Sequence, residues 1–129
     1  MKIVMLGAGA LGSTIGGTLA MGGNDVHFVD MWQEHVDLIN KDGLHMTNEK
    51  EDWYVRVDAR TTADTIGEAD LVIVLVKSFA TKQAVEQLKQ TNVIGKNTLV
   101  MSLQNGLGNE ETIASVIGSC LLYTSDAAD

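Results

Sequence analysis

The chain has 129 residues, a formal net charge of −8 and a mean hydropathy of +0.08, the composition of one globular domain with a core of its own. Its longest apolar run, Leu71–Val76, is too short to cross a bilayer, so we expect no membrane partner. The acidic balance leaves no basic stripe for a nucleic acid, and any bound phosphate must be held by local geometry against the field of the whole protein.

The chain contains one cysteine, so no disulfide framework is possible. It passes from Lys2 directly into a short apolar run and glycines, without the long apolar stretch of a secretory signal. Both features predict a cytoplasmic protein, because reducing compartments keep thiols unpaired. The sequence carries no signal for an oligomeric state.

Strand and helix patterns alternate in the first part of the chain. The run Lys2–Leu6 predicts a strand buried on both faces. Leu11, Ile15 and Leu19 are four residues apart, which predicts a helix that ends at the GGN sequence of residues 22–24. The next predicted elements are a strand at Val26–Val29 that is closed by Asp30, and a helix at Glu34–Asn40 in which Val36, Ile39 and the neighbouring Leu38 are apolar, with Gly43 as its stop.

The remaining patterns continue this alternation. Between Gly43 and Ala59, alternating residues predict two antiparallel segments around a polar turn at Asn48–Asp52. The later predicted elements are a strand at Leu71–Val76, a helix at Thr81–Gln90 with Ala84, Val85 and Leu88 facing inward, a strand at Thr98–Leu103 and a helix at Glu110–Ile117. Alternating strands and helices form right-handed βαβ units, so the predicted fold is a doubly wound α/β domain with a mostly parallel sheet.

The GAGALG segment at residues 7–12 lies between the first predicted strand and the first predicted helix. In a dinucleotide site, Gly7 permits a tight turn, Gly9 lets the backbone approach the pyrophosphate and Gly12 lets the helix pack closely. Free N–H groups and the positive end of the helix dipole favour the anion. The alternative is a glycine-rich turn without a ligand. The predicted phosphate-binding residues are Gly7, Ala8, Gly9, Ala10, Leu11 and Gly12.

Asp30 lies 18 residues beyond Gly12, where a carboxylate can accept hydrogen bonds from an adenosine ribose. A 2′-phosphate at this place would meet like charge, and the following Met31 and Trp32 offer no cation. Asp30 therefore favours NAD over NADP. A solvated aspartate at the end of a strand is the alternative interpretation.

Two more polar residues follow predicted strands: Lys77 after Leu71–Val76, and Asn105 after Thr98–Leu103. Both are expected at the carboxyl edge of the sheet, where open α/β sheets bind ligands. An ammonium there can neutralise phosphate or lie near a reacting carbonyl, and an amide can both donate and accept hydrogen bonds. From residue types alone, a snorkelling lysine and a turn asparagine are equally good interpretations.

Three segments together resemble the N-terminal domain of the 2-dehydropantoate 2-reductase (ketopantoate reductase) family: GAGALG, VIVLVKSFAT across Lys77, and SLQNGLGN around Asn105. The resemblance covers residues 1–119. The glycine segment is shared with many dehydrogenases, whereas the strand-end lysine with the NG-x-G-N segment is more specific. The resemblance implies a Rossmann-type domain, followed in the family by a helical domain, and NADPH-dependent reduction of 2-dehydropantoate to pantoate on the path to pantothenate and coenzyme A.

By position, the resemblance implies that residues 7–12 bind pyrophosphate, that Lys77 and Asn105 line the cofactor, and that Asn105 also lies near the 2-keto acid substrate. Family members often place a basic residue just after the second strand, where this chain has Asp30 and Met31, so both NADPH and NADH stay open as the cofactor. The family's proton-donating lysine belongs to the helical domain. We therefore predict no catalytic residue in this chain, weak cofactor binding and no turnover.

The last ten residues, CLLYTSDAAD, back-translate codon for codon onto a common transposase-type sequencing adapter. We hypothesise that the native reading frame stops near Ser119, which leaves residues 1–119 as an incomplete cofactor-binding domain and residues 120–129 as translated adapter. The alternative is a genuine apolar strand with an acidic tail. Sequencing the parent DNA across Cys120 distinguishes them, because native sequence there contradicts the hypothesis.

Two other functions fit the same residues. A different two-domain hydroxy-acid dehydrogenase would share the glycine segment, and a non-catalytic module that senses NAD would need no proton donor. His27, His35 and His45 have no metal-like spacing and are interpreted as ordinary surface or partly packed residues. Trp32 follows Asp30 closely enough to border an adenine, but a packing role is the preferred interpretation.

Overall fold

The computed structural model describes residues 1–77, 80–104, 108–118 and 122–124. These residues contain eight strands and four helices. The strands are β1 (Lys2–Leu6), β2 (Asp25–Val29), β3 (Leu44–Thr47), β4 (Asp52–Val55), β5 (Asp58–Arg60), β6 (Leu71–Val74), β7 (Leu99–Ser102) and β8 (Leu122–Thr124). The helices are α1 (Ala10–Met21), α2 (Gln33–Asp42), α3 (Thr81–Lys89) and α4 (Asn109–Ile117).

Six of these strands form one sheet in the order β5-β2-β1-β6-β7-β8, and all neighbouring pairs in it are parallel. Such a sheet is covered on both faces, because each crossover places a helix on one of them. Alternate residues of β1 accordingly enter different cores. Val4 and Leu6 pack with residues of α3 and α4, whereas Ile3 and Met5 pack with residues of α1, α2 and β3. The predicted doubly wound α/β fold is confirmed.

The helix α1 is present where the sequence predicts it, and Ile15 and Leu19 pack partly against the core, but its fully buried positions are glycines. Leu11 is 56% exposed, and the buried residues are Gly12, Gly16 and Gly17. A Cβ at Gly16 would collide with the ring of Phe28 on β2. The helix therefore lies close to the sheet through a glycine stripe, because larger residues would hold it away.

The alternating segment between residues 43 and 59 folds differently from the prediction in its second half. The strands β3 and β4 pair antiparallel around the expected polar turn, in which the side chain of Asn48 accepts two backbone N–H groups. However, Ala59 does not continue this hairpin: it lies in β5, which pairs parallel with β2 in the main sheet. A two-residue alternation is the same in both strands, so the pattern did not reveal where one strand ends and the next begins.

The later elements are found where the sequence predicts them, with shorter strands at β6 and β7, and Ala84, Val85 and Leu88 of α3 are buried as expected. The strand β8 pairs with β7 and lies within residues 120–129. Strand pairing does not depend on the origin of the codons, so the adapter hypothesis stays a prediction.

None of the helices in the described ranges is both long and apolar enough to span a membrane.

Candidate functional site

The strands β1 and β6 are neighbours at the centre of the sheet, and the chain proceeds outward from them in opposite directions. The carboxyl ends of two such strands enclose a crevice, the usual ligand site of open α/β sheets. A cavity of about 860 Å³ opens here. Its walls come from the segments that follow four strands, residues 7–9, 30–32, 61–64 and 75–77, and from one side of α3.

Five of the predicted site residues line this one cavity: Gly7, Ala8, Gly9, Asp30 and Lys77. They come from three separate strand ends, so the sheet brings together residues that are far apart in the sequence.

The other predicted residues are placed differently. Ala10, Leu11 and Gly12 form the first turn of α1 and are not part of the cavity wall among the described residues. Asn105 lies outside the described residues.

The three glycines of the GAGALG segment differ in backbone conformation and in the space available for a side chain. Gly7 has φ +112°, and a Cβ there would lie 3.0 Å from the backbone of Leu75 and Val76. A Cβ at Gly12 would lie 2.6 Å from the carbonyl oxygen of Gly7. Gly9, in contrast, has φ −71°, which any residue adopts, and a Cβ there would meet no atom within 4 Å. The fold accounts for glycine at positions 7 and 12 but not at position 9.

Asp30 is tied into the backbone of the site. Its Oδ2 accepts the N–H of Ala8 at 2.8 Å, and its Oδ1 accepts the N–H of Trp32 at 2.9 Å. Its own N–H donates to the carbonyl of Arg60 at 2.9 Å. Asp30 therefore has a structural role at this edge of the sheet, and its contact with a ribose stays a prediction. Each carboxylate oxygen keeps a second lone pair that can accept a further hydrogen bond.

The carbonyl oxygen of Ala8 accepts two side-chain donors, which sequence reasoning did not foresee. His35 Nε2 lies 2.7 Å from it, and Ser13 Oγ lies 3.1 Å from it. The imidazole of His35 also stacks on the ring of Trp32, with 5.6 Å between ring centroids. The preferred interpretation of Trp32 as a packed residue is wrong, because it is 63% exposed where it borders the cavity. The one sequence signal for His35 is its place in the first turn of a helix that starts at the site.

The charges around the cavity are few. Lys77 is exposed and is the single cation among the described residues that line it, whereas Asp30 and Asp64 are the acids. Arg60 directs its guanidinium elsewhere, to the carboxylate of Asp58 at 2.7 Å and to the Thr65 hydroxyl at 2.6 Å. The predicted place of Lys77 at the carboxyl edge is confirmed.

Asp58 lies between two donors on neighbouring strands. Partial burial raises its pKa, but hydrogen bonds from His27 and Arg60 outweigh burial and hold the pKa below its usual value. The distance from His27 Nδ1 to Asp58 Oδ2 is 2.8 Å. This pair joins β2 to β5 and thereby positions the segment that forms one wall of the cavity.

A second polar network, also not foreseen, joins the ends of β6 and β7 to the starts of two helices. Gln104 Nε2 donates to the carbonyl of Val76 at 2.7 Å and to the buried hydroxyl of Thr81 at 2.6 Å. Gln104 Oε1 accepts from Ser102 Oγ at 3.1 Å, and Thr81 Oγ1 lies 3.4 Å from Asn109 Oδ1. The sequence pattern singled out Asn105 in this segment. In the structure, the neighbouring Gln104 connects the end of β7 to Val76 and to the start of α3 through hydrogen bonds.

A parallel sheet in this order, with a glycine turn at its switch point, defines the Rossmann class of α/β domains. Within that class, residues 3–125 match the model of the family described as ketopantoate reductase PanE/ApbA, and the chain belongs to this family. The resemblance seen in the sequence is confirmed.

Individual relatives agree with this assignment. A 2-dehydropantoate 2-reductase of Pyrococcus abyssi is 41% identical over 121 residues, which cover 94% of this chain and 38% of that protein. The PanE/ApbA family ketopantoate reductase structure from Ralstonia eutropha JMP134 matches with a TM-score of 0.84 and 35% identity over 96% of this chain and 40% of that chain. A D-mandelate dehydrogenase structure with NADH and anilino(oxo)acetate matches with a TM-score of 0.88 and 29% identity, over the same shares. The chain therefore spans less than half the length of the curated relatives it matches.

Proposed function

We propose that this chain is the cofactor-binding part of a cytoplasmic 2-dehydropantoate 2-reductase, which reduces the ketone of 2-dehydropantoate to pantoate with NADH or NADPH, a step towards pantothenate and coenzyme A. One observation carries the proposal: Gly9 faces the cavity at a place where the fold itself does not require glycine. A side chain there would occupy the space that a pyrophosphate needs. The proposed reaction is taken from the family to which the chain belongs.

The backbone around Gly9 has donors to offer an anion. Gly9 is the N-cap of α1, a helix of 12 residues, and no side chain caps this end. The first N–H groups of a helix have no acceptor within the helix, and the helix dipole adds roughly half a positive charge there. Lys77 would line the cofactor on the other side of the crevice. This local attraction has to overcome the net charge of −8.

Asp30 favours NADH over NADPH in this proposal. Its free lone pairs can accept hydrogen bonds from ribose hydroxyls, while a 2′-phosphate would meet its negative charge. Met31 and Trp32 supply no cation, and Arg60 is held by Asp58 and Thr65. The similar D-mandelate dehydrogenase structure was determined with NADH, which supports the same preference.

The bound nicotinamide supplies the hydride, and the ketone oxygen that gains negative charge needs a proton from a positioned acid. We assign no such acid to this chain. Asn105, which lies outside the described residues, is proposed to contact both cofactor and the 2-keto acid. The expected partners are the small-molecule substrate and the dinucleotide. We expect no nucleic-acid partner.

The test is a calorimetric titration of the 129-residue chain with NADH and with NADPH, which measures the affinity for each dinucleotide. We expect NADH to bind more tightly by about fivefold to tenfold, since two like charges about 4 Å apart repel by about 1 kcal/mol even in bulk water. The variant Asp30→Ala should reduce the difference in affinity between NADH and NADPH. It should also weaken the binding of NADH, because the Ala8 N–H loses its hydrogen-bond acceptor. Asp42→Ala, which removes an exposed acid of α2, is the matched control.

The outcomes separate the parts of the proposal. Tighter binding of NADPH to the unmodified chain would contradict the role of Asp30 alone. Absence of binding for both dinucleotides would contradict the proposed function.

A second candidate is a reductase of a different 2-keto acid, which the likeness to D-mandelate dehydrogenase favours. Comparing the rates with 2-dehydropantoate and with benzoylformate in the protein encoded by the complete gene distinguishes the two. Faster reduction of benzoylformate would select the second candidate.

A further inference from the structure

We infer that His35 is a positioning residue of the phosphate-binding turn: it fixes the peptide between Ala8 and Gly9 so that the Gly9 N–H is presented to the diphosphate of the cofactor. This inference rests on the proposed function. It concerns a histidine on α2, an element that does not contain the glycine segment.

The geometry follows from the planarity of one peptide group. The Ala8 carbonyl and the Gly9 N–H belong to the same trans peptide, in which the two bonds point in opposite directions. His35 Nε2 at 2.7 Å and Ser13 Oγ at 3.1 Å both hold the Ala8 oxygen. The Gly9 N–H is therefore directed away from His35, and among the described residues it has no hydrogen-bond acceptor.

The preceding peptide is fixed by a different contact. The Ala8 N–H donates to Asp30 Oδ2 at 2.8 Å, so it is already used and is not a free donor for a phosphate. Asp30 also accepts the N–H of Trp32, whose ring stacks on His35. Residues 30–35 thus hold Ala8 by both its N–H and its carbonyl, which leaves the orientation of the next peptide little freedom.

The hydrogen bond also sets the state of the imidazole. A carbonyl oxygen only accepts, so Nε2 of His35 carries a hydrogen. Hydrogen bonds in a chain polarise one another, so donation to the Ala8 carbonyl strengthens the Gly9 N–H of the same peptide as a donor. A contact on the far side of the turn from the ligand can therefore change affinity for an anion without touching it.

The test compares three variants of the 129-residue chain. His35→Phe keeps a ring that can stack on Trp32 but removes the donor, and His35→Gln supplies an amide N–H in its place. The matched control is His45→Phe, because His45 also stacks on an aromatic ring, that of Tyr54 at 5.0 Å, and is not part of the cavity wall. The readouts are NADH affinity and the amide resonance of Gly9 in the ¹⁵N-labelled chain without ligand.

We expect His35→Phe to weaken NADH binding about fivefold, the loss of one ordinary hydrogen bond, and to move the Gly9 resonance. His35→Gln should restore most of both, and His45→Phe should change neither. Should His35→Phe fail to fold by circular dichroism, His35→Met serves as the second variant without a donor.

Unchanged NADH affinity in the donor-free variant, with the unmodified chain binding NADH, would overturn the role of His35 and leave the proposed function standing. Weakening by His35→Gln without weakening by His35→Phe would do the same, because a structural role of the ring alone predicts that result. If the unmodified chain binds no NADH, the proposed function fails and this inference fails with it.

Discussion

At the scale of single residues, the three glycines of the GAGALG segment have different physical surroundings. Gly7 is required by a positive φ and by close backbone, and Gly12 by the carbonyl of Gly7. Gly9 has open space around it and an ordinary φ, so the fold does not require glycine there, in keeping with its proposed role in binding phosphate. The sequence predicts the positions of the three residues, whereas only coordinates distinguish the two glycines that the turn requires from the one that it does not.

Asp58 makes stability depend on pH in a defined direction. Because its folded-state pKa is lowered, its contribution to the free energy of unfolding is present above the ordinary carboxyl pKa of about 3.9 and is lost as the pH falls through the lower folded-state value. We therefore expect Asp58→Asn to destabilise the chain at neutral pH, by an amount that shrinks as the pH falls below about 4.

Urea unfolding of both proteins across this pH range measures the effect. Asp42→Asn, a change at an exposed acid of α2, is the control and should show no such convergence. A difference between Asp58→Asn and the unmodified chain that stays constant across the range would contradict the linkage.

At the scale of elements, α1 shows why apolar spacing and burial are different properties. Apolar residues four apart correctly predict the helix, but the fully buried positions beside Ile15 are Gly16 and Gly17. The two glycines meet different neighbours. A Cβ at Gly16 would collide with the ring of Phe28, which is fully buried, whereas a Cβ at Gly17 would collide with the end of the flexible side chain of Met46.

These neighbours predict unequal costs for the same substitution. Gly16→Ala should lower the free energy of unfolding by about 1–3 kcal/mol, because a buried ring cannot move aside. Both substitutions gain about 1 kcal/mol of helix propensity over glycine, and Gly17→Ala should cost less because the methionine side chain can rotate. Urea unfolding gives both values, with Thr18→Ala on the exposed side of the helix as the control. Equal costs for the two glycines would contradict the distinction between a rigid and a flexible neighbour.

At the scale of the whole molecule, the carboxyl edge of the sheet carries an open cavity with a single described cation in its wall. The chain corresponds to 38% of the Pyrococcus abyssi relative. Its described acids at the cavity are Asp30, which is engaged with two backbone N–H groups, and Asp64. This arrangement is suited to hold a cofactor, and by the family resemblance we expect the proton donor in the helical domain.

We therefore expect the 129-residue chain to bind NADH without consuming it when 2-dehydropantoate is added. The loss of NADH absorbance over time measures turnover, and the complete Pyrococcus abyssi enzyme serves as the positive control. Sustained consumption by this chain alone, at a rate proportional to its concentration, would show that it contains its own proton donor.

The sequence by itself determined the order and type of the elements other than β5 and β8, the parallel doubly wound sheet, and the positions of Asp30 and Lys77 at its carboxyl edge. These properties depend on local periodicity and chain order, which a single sequence contains. Only the tertiary structure decided that the fully buried positions of α1 are glycines, that β5 leaves the hairpin to join β2, and that His35 and Gln104 connect elements around the cavity. Each of these depends on which segments become neighbours in space, and contacts between residues far apart in the chain leave no periodic signal in it.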